Sequence, residues 1–445
     1  MIAAMATFGL ELARGVRGVW LLALVVLLSS CTVSVPLDGK RCASTEPRCV
    51  TGYACVDEVC VRLDGGDAGP DAGCPSYADP AARDPECRTT VWYLAVDGGD
   101  SADGRTPSSP RRTLPPGVGP GDEVVLLAGE YLTPPSLELS GTVSCPILIR
   151  GDADGGTVIR GTLRVVGSFA VFRDLVFRVA NAASVEVTGD SRQLVFQRDT
   201  FAPGLSTTGF SNAVDFVAPC ADCTVRESVF QMPASGRVSI AHARGPNFVL
   251  RGNRIACDIG AGLWLAGPNA LVEGNRFTGR YDAEFVRFLE DGGRFEFNEV
   301  ELRAGYPDKV FITGETARVR RNTFTFSEAS DAAVADVEVF EDNLVSGGIA
   351  AAVLREHSLG RFNLVDGAVA WWLFAEDGGA PDPSNLRGPI ALVDGVPTAS
   401  SLALDSADPS LPVPPGGGAR ADIGARERGA ALLPDGRYCL LDAGR

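Results

Sequence analysis

Leu250-Arg251-Gly252-Asn253-Arg254-Ile255 is one copy of a short pattern that recurs between Val171 and Val365. Each copy has an apolar residue, two variable residues, an Asn, Asp or Ser, one more residue and a second apolar residue. The polar positions are separated by 25, 29, 25, 22, 23, 24, 21 and 20 residues. A nearly fixed interval in this range is typical of proteins built from stacked repeats. The other copies are Val171…Asp174…Val176, Phe196…Asp199…Phe201, Val225…Ser228…Phe230, Val272…Asn275…Phe277, Phe295…Asn298…Val300, Val319…Asn322…Phe324, Phe340…Asn343…Val345 and Gly360…Asn363…Val365.

A second strand in each repeat is indicated by an apolar residue that we expect to point inward. These residues are separated by 29, 24, 25, 23, 24 and 24 residues, in phase with the first pattern. Two alternating strands and a weaker third in a coil of about 24 residues predict an all-β parallel β-helix over residues 89–367. The inward residues are Val185, Val214, Val238, Leu263, Val286, Val310 and Val334.

The recurring polar residue has two expected roles. Asn and Asp tolerate the left-handed backbone conformation of a sharp corner. When they are stacked at the strand spacing of about 4.8 Å, their side chains can also hydrogen-bond from one coil to the next. The pattern therefore predicts a polar ladder that runs along the solenoid.

The first 30 residues are predicted to be a signal peptide, because Arg14 and Arg17 precede a short apolar run, Val19 to Leu28. The sequence Leu28-Ser29-Ser30-Cys31 that follows resembles a bacterial lipobox. The resemblance implies cleavage before Cys31, lipidation of that cysteine and an anchored protein that does not span the membrane. Thr32 stands where Asp would mark inner-membrane retention, which favours the outer membrane or cell surface of a Gram-negative-type bacterium. The alternative is an ordinary secretory signal.

Residues 31–62 form a predicted cysteine-rich module with Cys42, Cys49, Cys55 and Cys60. A segment this short cannot bury a core, so we favour two disulfides, whose pairing stays open, over a zinc site. Residues 63–88 are rich in Gly, Asp and Pro and are predicted to be a linker. Cys74 and Cys87 are further disulfide candidates at its far end.

Two stretches near the start of the body and one near its end carry a resemblance to right-handed parallel β-helix proteins of the pectin-lyase-like group. They are Trp92 to Gly104, Pro120 to Tyr131, and Ala421-Asp422-Ile423-Gly424-Ala425-Arg426-Glu427. The last resembles the Asp-Ile-Gly-Ala-x-Glu ending of many secreted bacterial β-helix proteins. Residues 368–445 are then expected to form an irregular cap, with Trp371, Trp372 and Phe374 covering the last coil or, alternatively, binding a ligand.

Composition excludes some functions and disfavours others. A formal charge of −16 over 445 residues argues against a nucleic-acid partner and repels acidic polysaccharides at long range. With two histidines and no Gly-x-Ser-x-Gly, a Ser-His-Asp triad is poorly supported. Cys220 and Cys223 are expected to form a local disulfide or to stack as thiols, because no second metal half-site is near them in sequence. We predict a monomer with no cofactor and no metal site.

The outward positions of the two strands differ in chemistry. In the first strand they are charged, and neighbours such as Arg251 and Glu273 are opposite in sign, which predicts a solvated, charge-matched face: Arg226, Arg251, Glu273, Glu296, Arg320, Glu341 and Arg361. In the second strand the expected outward column is Glu186, Asp215, Ser239, Trp264, Arg287 and Phe311, flanked by Arg237, Phe285 and Lys309.

Exposed aromatic residues beside cations are suited to a sugar ring. We therefore predict a non-enzymatic glycan-binding or structural surface protein, with Trp264, Phe285, Phe311, Arg237 and Asp215 as binding residues; the alternative is that a loop covers them. The β-helix resemblance also implies an enzyme hypothesis, a polysaccharide lyase for a uronic-acid-containing polymer. In that case Lys309 would be the base and Arg287 would neutralise the substrate carboxylate. Calcium, held by Asp215 or Asp282, is expected only for the lyase.

Overall fold

The structure is a computed structural model that describes residues 53–56, 59–62 and 81–425. The chain forms two units, Met1–Ala72 and Gly73–Arg445. The longest range is interrupted at residues 82–83, 88, 133–135, 153–155, 180–182, 203–210, 232–237, 258–261, 280–283, 303–309, 327–332, 348–351, 355–358, 367–371, 374–381, 394–395 and 412–418.

In the first unit, Tyr53–Val56 and Val59–Arg62 form an antiparallel hairpin. Cys55 and Cys60 are directly opposite each other in its register. The other predicted cysteines of this region, Cys31, Cys42, Cys49 and Cys74, lie outside the described residues.

The second unit is an all-β parallel solenoid, as the repeat predicts, and its described residues include no helix. One wall, sheet A, has twelve strands in chain order, so that each coil adds one strand next to the last. These strands are Gly129–Tyr131, Thr157–Ile159, Val176–Phe177, Thr200–Phe201, Val229–Gln231, Arg254–Cys257, Arg276–Gly279, Glu299–Leu302, Thr323–Phe326, Leu344–Ser346, Leu364–Asp366 and Leu386–Arg387.

The other two walls, sheets B and C, are joined because Leu163–Arg173, Val310–Arg320 and Ala333–Glu341 run through both. Sheet B also contains Val91–Leu94, Glu123–Leu126, Ile147–Gly151, Ser191–Gln197, Cys220–Ala221, Thr224–Arg226, Val249–Arg251, Leu271–Glu273, Arg294–Glu296 and Leu359–Arg361. Sheet C also contains Leu137–Ser140, Val185–Val187, Ser211–Phe216, Val238–Ala243, Leu263–Leu265, Glu284–Phe288, Ala352–Leu354 and Trp372–Leu373. A small antiparallel pair, Leu392–Val393 with Val396–Pro397, follows the coils.

Aromatic side chains stack along the core because the same inward position recurs in each coil. The ring centroids of Phe172 and Phe196 are 4.7 Å apart, and those of Phe201 and Phe230 are also 4.7 Å apart. All four side chains are fully buried. Burying a Phe side chain stabilises the fold by roughly 1.5–3 kcal/mol, so these stacks are a main source of cohesion between coils.

The predicted polar ladder is present at the corner between sheets B and A. The Nδ2 of Asn275 donates to the Oδ1 of Asn298 at 3.0 Å and to the carbonyl of Leu250 at 2.9 Å. The backbone N–H of Asn275 also donates to that Oδ1, at 2.9 Å. The ladder residues are Asp199, Ser228, Asn253, Asn275, Asn298, Asn322, Asn343, Asn363 and Asn385.

The expected left-handed conformation falls one residue earlier than the sequence indicated. Phe297, Arg321 and Phe362, which immediately precede ladder asparagines, have φ values of 56°, 54° and 53°. The asparagines themselves stay buried, since their amide groups must reach the neighbouring coil. In the first copy, Leu175 and not Asp174 occupies the ladder position, because Phe172 pairs with Phe196. The predicted register there was wrong by one residue.

The charge-matched face is confirmed on sheet B. Arg251 pairs in register with Glu273, and its Nε lies 2.6 Å from Oε2 of that carboxylate. Further along, Glu341 is buried and contacts both Arg320, at 2.7 Å, and Arg361. Opposite charges in adjacent coils therefore neutralise each other at these positions, whereas Arg226 lies beside Arg251 and Glu273 lies beside Glu296.

Two disulfides are present in the described part of the solenoid unit. Cys87 pairs with Cys145, a residue that the sequence analysis did not single out. Cys220 pairs with Cys223, which confirms the local disulfide. The first closes the beginning of the solenoid, because it links the chain before the first coil to the segment that leads into Ile147–Gly151.

The C-terminal segment lies along the outside of sheet A. Leu344 and Leu364 point away from the main core and form a second apolar cluster with residues of this segment: Ala403, Ala407, Ala421 and Ile423. Trp372 lies in a strand paired with Val353, and Trp371 and Phe374 are outside the described residues. The part of the predicted cap that the structure describes thus covers the side of the last coils.

The Asp-Ile-Gly-Ala motif attaches this segment to the solenoid. The N–H of Gly424 donates to the carbonyl of Asp342 at 2.9 Å, and that of Ala425 donates to Thr323 Oγ1 at 2.9 Å. Gly424 has φ +111°, and a Cβ there would lie 2.8 Å from Thr323 Oγ1. Glycine is needed at this position for both reasons. Among the described residues, no helix has the length and hydropathy to cross a bilayer.

Candidate functional site

The outward side chains at the centre of sheet C form a single column across successive coils. Strand register places Asp215 beside His242, His242 beside Trp264, and Trp264 beside Arg287. We call these four residues the platform column. Glu186 precedes it, and Thr313 and Asp336 follow it.

Two members of the predicted column are therefore wrong. His242 stands where Ser239 was expected, and Thr313 stands where Phe311 was expected. The Ser239 error arises because the chain between Val214 and its true partner, Ala241, is longer than the average coil. The Phe311 error coincides with a register shift between Glu284 and Val286. Sequence periodicity fixes the mean length of a coil and not how each coil divides its residues between strands and loops.

Asp215 is held in one orientation by two neighbours. The Nδ2 of Asn212 donates to its Oδ2 at 2.8 Å, and Nδ1 of His242 lies 3.3 Å from its Oδ1. Burial alone would raise the pKa of Asp215, but the interactions with His242 and Asn212 outweigh it and hold the pKa below its usual value. The carboxylate is therefore ionised at neutral pH and fixes the imidazole beside it.

Trp264 and Arg287 form the apolar and cationic part of the column. The guanidinium carbon of Arg287 lies 5.4 Å from the centroid of the Trp264 ring, within the range of a cation–π contact. Trp264 is nevertheless 39% exposed. The ring is thus accessible to solvent, and the described residues do not bury it as the alternative interpretation required.

Exposed apolar residues continue this surface two positions further along the strands. Val217 follows the strand of Asp215, and Leu289 follows the strand of Arg287; both are exposed. Between them, Nη1 of Arg244 donates to the carbonyl of Val217 at 3.2 Å. Trp264 therefore belongs to a wider surface that combines apolar area with positive charge.

The predicted outward position of Phe285 was wrong. Its side chain is fully buried and makes edge-to-face contacts with Phe277 and Phe295, at 5.0 and 6.0 Å between ring centroids. A β-bulge between Glu284 and Val286 allows two consecutive side chains to enter the core. Simple alternation of inward and outward residues cannot anticipate a bulge.

The structure does not place the side chains of the remaining predicted site residues. Phe311 lies in the strand Val310–Arg320, paired with Val334, but its side chain is not described. Lys309, Arg237 and Asp282 lie outside the described residues. Their roles stay predictions.

Sequence reasoning missed His242, although a signal for it exists. Ala241-His242-Ala243 has the same alternation of buried, outward and buried residues as Leu263-Trp264-Leu265 in the next coil. Small alanines in place of larger apolar residues obscured this match. Within the described part of the chain, no group of three His, Cys, Asp or Glu residues is arranged to hold a metal ion.

Comparisons with known proteins leave the family open. No protein-family model matches the chain, and no curated protein matches it. Among solved structures, the pectate lyase Pel9A is 15% identical, covers 77% of this chain and 96% of its own, and has a TM-score of 0.47. The PfbA surface adhesin of Streptococcus pneumoniae is 12% identical, with 58% and 86% coverage and a TM-score of 0.37. A lacto-N-biosidase from Eubacterium ramulus is 12% identical, with 67% and 68% coverage and a TM-score of 0.37.

Proposed function

We propose that this protein is a non-enzymatic glycan-binding protein of the bacterial cell envelope, with sheet C as its binding face. The observation that carries the proposal is the solvent-accessible ring of Trp264 with the Arg287 guanidinium beside it. A large aromatic side chain exposed within an apolar patch is typical of an interaction surface.

The chemistry of the surface fits a sugar. The apolar C–H face of a pyranose ring packs on an indole, and an adjacent guanidinium donates hydrogen bonds to hydroxyl or carboxylate oxygens. Arg244 and Arg287 also supply local positive charge against the net charge of −16. An acidic glycan would therefore be bound at this face in spite of repulsion by the whole protein.

The proposed location follows from the N-terminal sequence. Lipidation of Cys31 would anchor the protein to the outer membrane or cell surface, and residues 63–88 would hold the solenoid away from the lipid. Labelling with a radioactive or alkyne fatty acid, in wild type and in Cys31→Ala, tests this: label that persists in the variant contradicts the anchor.

Binding is tested by isothermal titration of the mature protein with neutral and uronic-acid oligosaccharides. Trp264→Ala should weaken binding by about tenfold or more, since a contact of about 1.4 kcal/mol corresponds to tenfold in affinity. Leu359→Ala, which removes another exposed apolar side chain from sheet B, is the matched control and should bind as wild type does. Equal affinity of wild type and Trp264→Ala for every ligand bound would contradict the proposal.

A second candidate function is a polysaccharide lyase for a uronic-acid-containing polymer, with Lys309 as base and Arg287 as the group that neutralises the carboxylate. The accessible platform beside Arg287 favours it, because a lyase must bind a carboxylate next to the proton that it removes. The test is the ultraviolet absorbance of the unsaturated product, with and without calcium, in wild type and Lys309→Ala.

A further inference from the structure

His242 lies between an acidic neighbour and the exposed aromatic ring of the platform column. Strand register places Asp215 on one side of it and Trp264 on the other. Nδ1 of His242 lies 3.3 Å from Oδ1 of Asp215, and that oxygen is buried without a hydrogen bond of good geometry in the described part of the chain. The two side chains are only 23% and 21% exposed, so their charges are screened less than charges in bulk water.

The protonation state of the imidazole decides the net charge of this pair. Burial opposes ionisation of Asp215, but its interactions with His242, Asn212 and Arg244 outweigh burial and lower its pKa. With a neutral imidazole the pair therefore carries one negative charge, and with a protonated imidazole it carries none. Histidine is the side chain that ordinarily makes this change between about pH 5 and 8.

The strands packed against His242 contribute no other titratable group. The three paired strands are Ser211–Phe216, Val238–Ala243 and Leu263–Leu265, and their only titratable side chains are Asp215 and His242. A change of charge on the imidazole is thus not compensated by a second titration within these strands.

The charged groups further along sheet C are arginines and one ion-paired carboxylate. Arg287 lies beside Trp264, and Arg244 follows the strand of His242. Glu186 is next to Asp215 in register, and Nε of Arg164 lies 3.0 Å from its carboxylate. Arginine stays protonated and an ordinary carboxylate stays ionised between about pH 5 and 8, so these groups form a constant background for the imidazole.

We propose that His242 makes the affinity of sheet C for anionic glycans depend on pH. Protonation of the imidazole cancels the charge of Asp215, so that an anionic group of a sugar stacked on Trp264 no longer meets an uncompensated carboxylate. The affinity therefore rises as the pH falls through the titration of the imidazole. This inference rests on the proposed glycan-binding function, adds its regulation, and involves no chemical change of the glycan.

The experiment compares uronic-acid oligosaccharides with their carboxyl-reduced, uncharged forms by isothermal titration of the mature protein at about pH 5.5, 6.5 and 8. The carboxylates of the charged form stay ionised over this range. Wild type should bind the charged form about threefold or more tightly at the lowest pH than at the highest, because one nearby unit charge is cancelled. The affinity for the uncharged form should stay constant within about 1.5-fold, since that form carries no charge for Asp215 to repel. By linkage, binding of the charged form should also take up protons near about pH 6.5.

Two variants separate His242 from other groups that titrate in this range, such as Asp342, whose pKa burial raises to about 6. His242→Gln keeps a hydrogen-bond donor but cannot be protonated, and should abolish both the pH dependence and the proton uptake. Asp215→Asn removes the repelling charge, and should give at about pH 8 the affinity that wild type has at about pH 5.5. The control is His357→Gln, the other of the two histidines, which should keep the wild-type pH dependence.

The possible failures of the inference and of the binding function can be told apart. A pH dependence that survives in His242→Gln, or that is equal for charged and uncharged oligosaccharides, would overturn the inference and leave the binding function standing. Weaker binding of the charged form by Asp215→Asn at the highest pH would also overturn it, because the carboxylate would then be a sugar contact. No binding of any oligosaccharide at any of these pH values would overturn the binding function and the inference together.

Discussion

Asp199 accepts the backbone N–H of Leu175 through Oδ1 at 2.9 Å, while its second oxygen, Oδ2, is buried without a hydrogen-bond partner. In later coils the equivalent atom is the Nδ2 of an asparagine, which donates to a carbonyl of the preceding coil, as Asn253 does to Val225 at 3.0 Å. A carboxyl group thus stands where the ladder requires an amide donor. Burial raises the pKa of Asp199 well above its usual value.

We expect Asp199→Asn to stabilise the protein by about 1–3 kcal/mol at pH 7, the cost of a buried unsatisfied polar group. Because the folded pKa is raised, the contribution of Asp199 to stability decreases as pH rises above about 3.8, the pKa of this group in the unfolded state. The advantage of the variant should therefore grow with pH. Thermal unfolding midpoints at several pH values measure it, and a lower midpoint for the variant at pH 7 would contradict the ladder argument.

The asparagines of the ladder should be the most sensitive polar residues of the solenoid. Asn298→Ala removes the acceptor of the Asn275 N–H and the donor to the Val272 carbonyl, both buried. Since each unsatisfied group costs about 1–3 kcal/mol, we expect a loss of roughly 3 kcal/mol or more, visible in urea denaturation. Asn247→Gly is the control: Asn247 is exposed with φ 59°, a conformation that glycine adopts freely, and the loss should be below about 1 kcal/mol.

Attachment of the C-terminal segment should depend on pH through Asp342. Its Oδ1 accepts the N–H of Asp408 at 2.8 Å, and burial raises its pKa to about 6. The folded state therefore favours the protonated carboxyl, so this group destabilises the fold above pH 6 and the penalty disappears as pH falls towards 3.8. Asp342→Asn should therefore raise the free energy of unfolding by about 1–3 kcal/mol above pH 6. This gain should become smaller as the pH falls below 6.

The control for this prediction is Asp408→Asn. Burial opposes the ionised form of Asp408, but hydrogen bonds from Ser410 outweigh it and lower its pKa. Its contribution has the opposite sign, because it is present above the unfolded pKa and is lost as pH falls. Chemical denaturation between about pH 4 and pH 8 distinguishes the two variants. If the unfolding free energies of both variants had the same dependence on pH, the opposite roles assigned to Asp342 and Asp408 would be wrong.

The two disulfides should differ in their contribution to stability. Cys87 and Cys145 are 58 residues apart, whereas Cys220 and Cys223 are 3 apart. On the chain-entropy argument the longer loop corresponds to about 4 kcal/mol and the shorter to about 1.5 kcal/mol. Unfolding midpoints of the two double-alanine variants test this, and a larger loss for Cys220/Cys223 would show that packing around these buried sulfurs outweighs chain entropy.

The sequence predicted the solenoid because one coil must satisfy the same physical demands as the next. Inward positions must be apolar to fill a continuous core, and the ladder position must carry a side chain that can bond to its neighbours on both sides. Phe277 and Asn275 therefore recur in equivalent form at intervals close to the coil length. The pairing of Arg251 with Glu273 was predicted for the same reason, since each residue lies in a strand that directly precedes a ladder residue.

The platform was predicted only in part, because sheet C follows loops of unequal length. Trp264 and Arg287 were placed together correctly, since the interval between them is close to the mean of the repeat. His242 was missed after a longer coil, and Phe285 was misplaced by a bulge.

The sequence was enough to predict the stacked parallel coils, the ladder and opposite-charge pairs such as Arg251 and Glu273, because all of them follow from local periodicity. The tertiary structure decided which side chains meet across sheet C, that Cys87 pairs with Cys145, and that Gly424 attaches the C-terminal segment to Asp342. These contacts join residues whose separation no repeat interval specifies, so only the folded path of the chain brings them together.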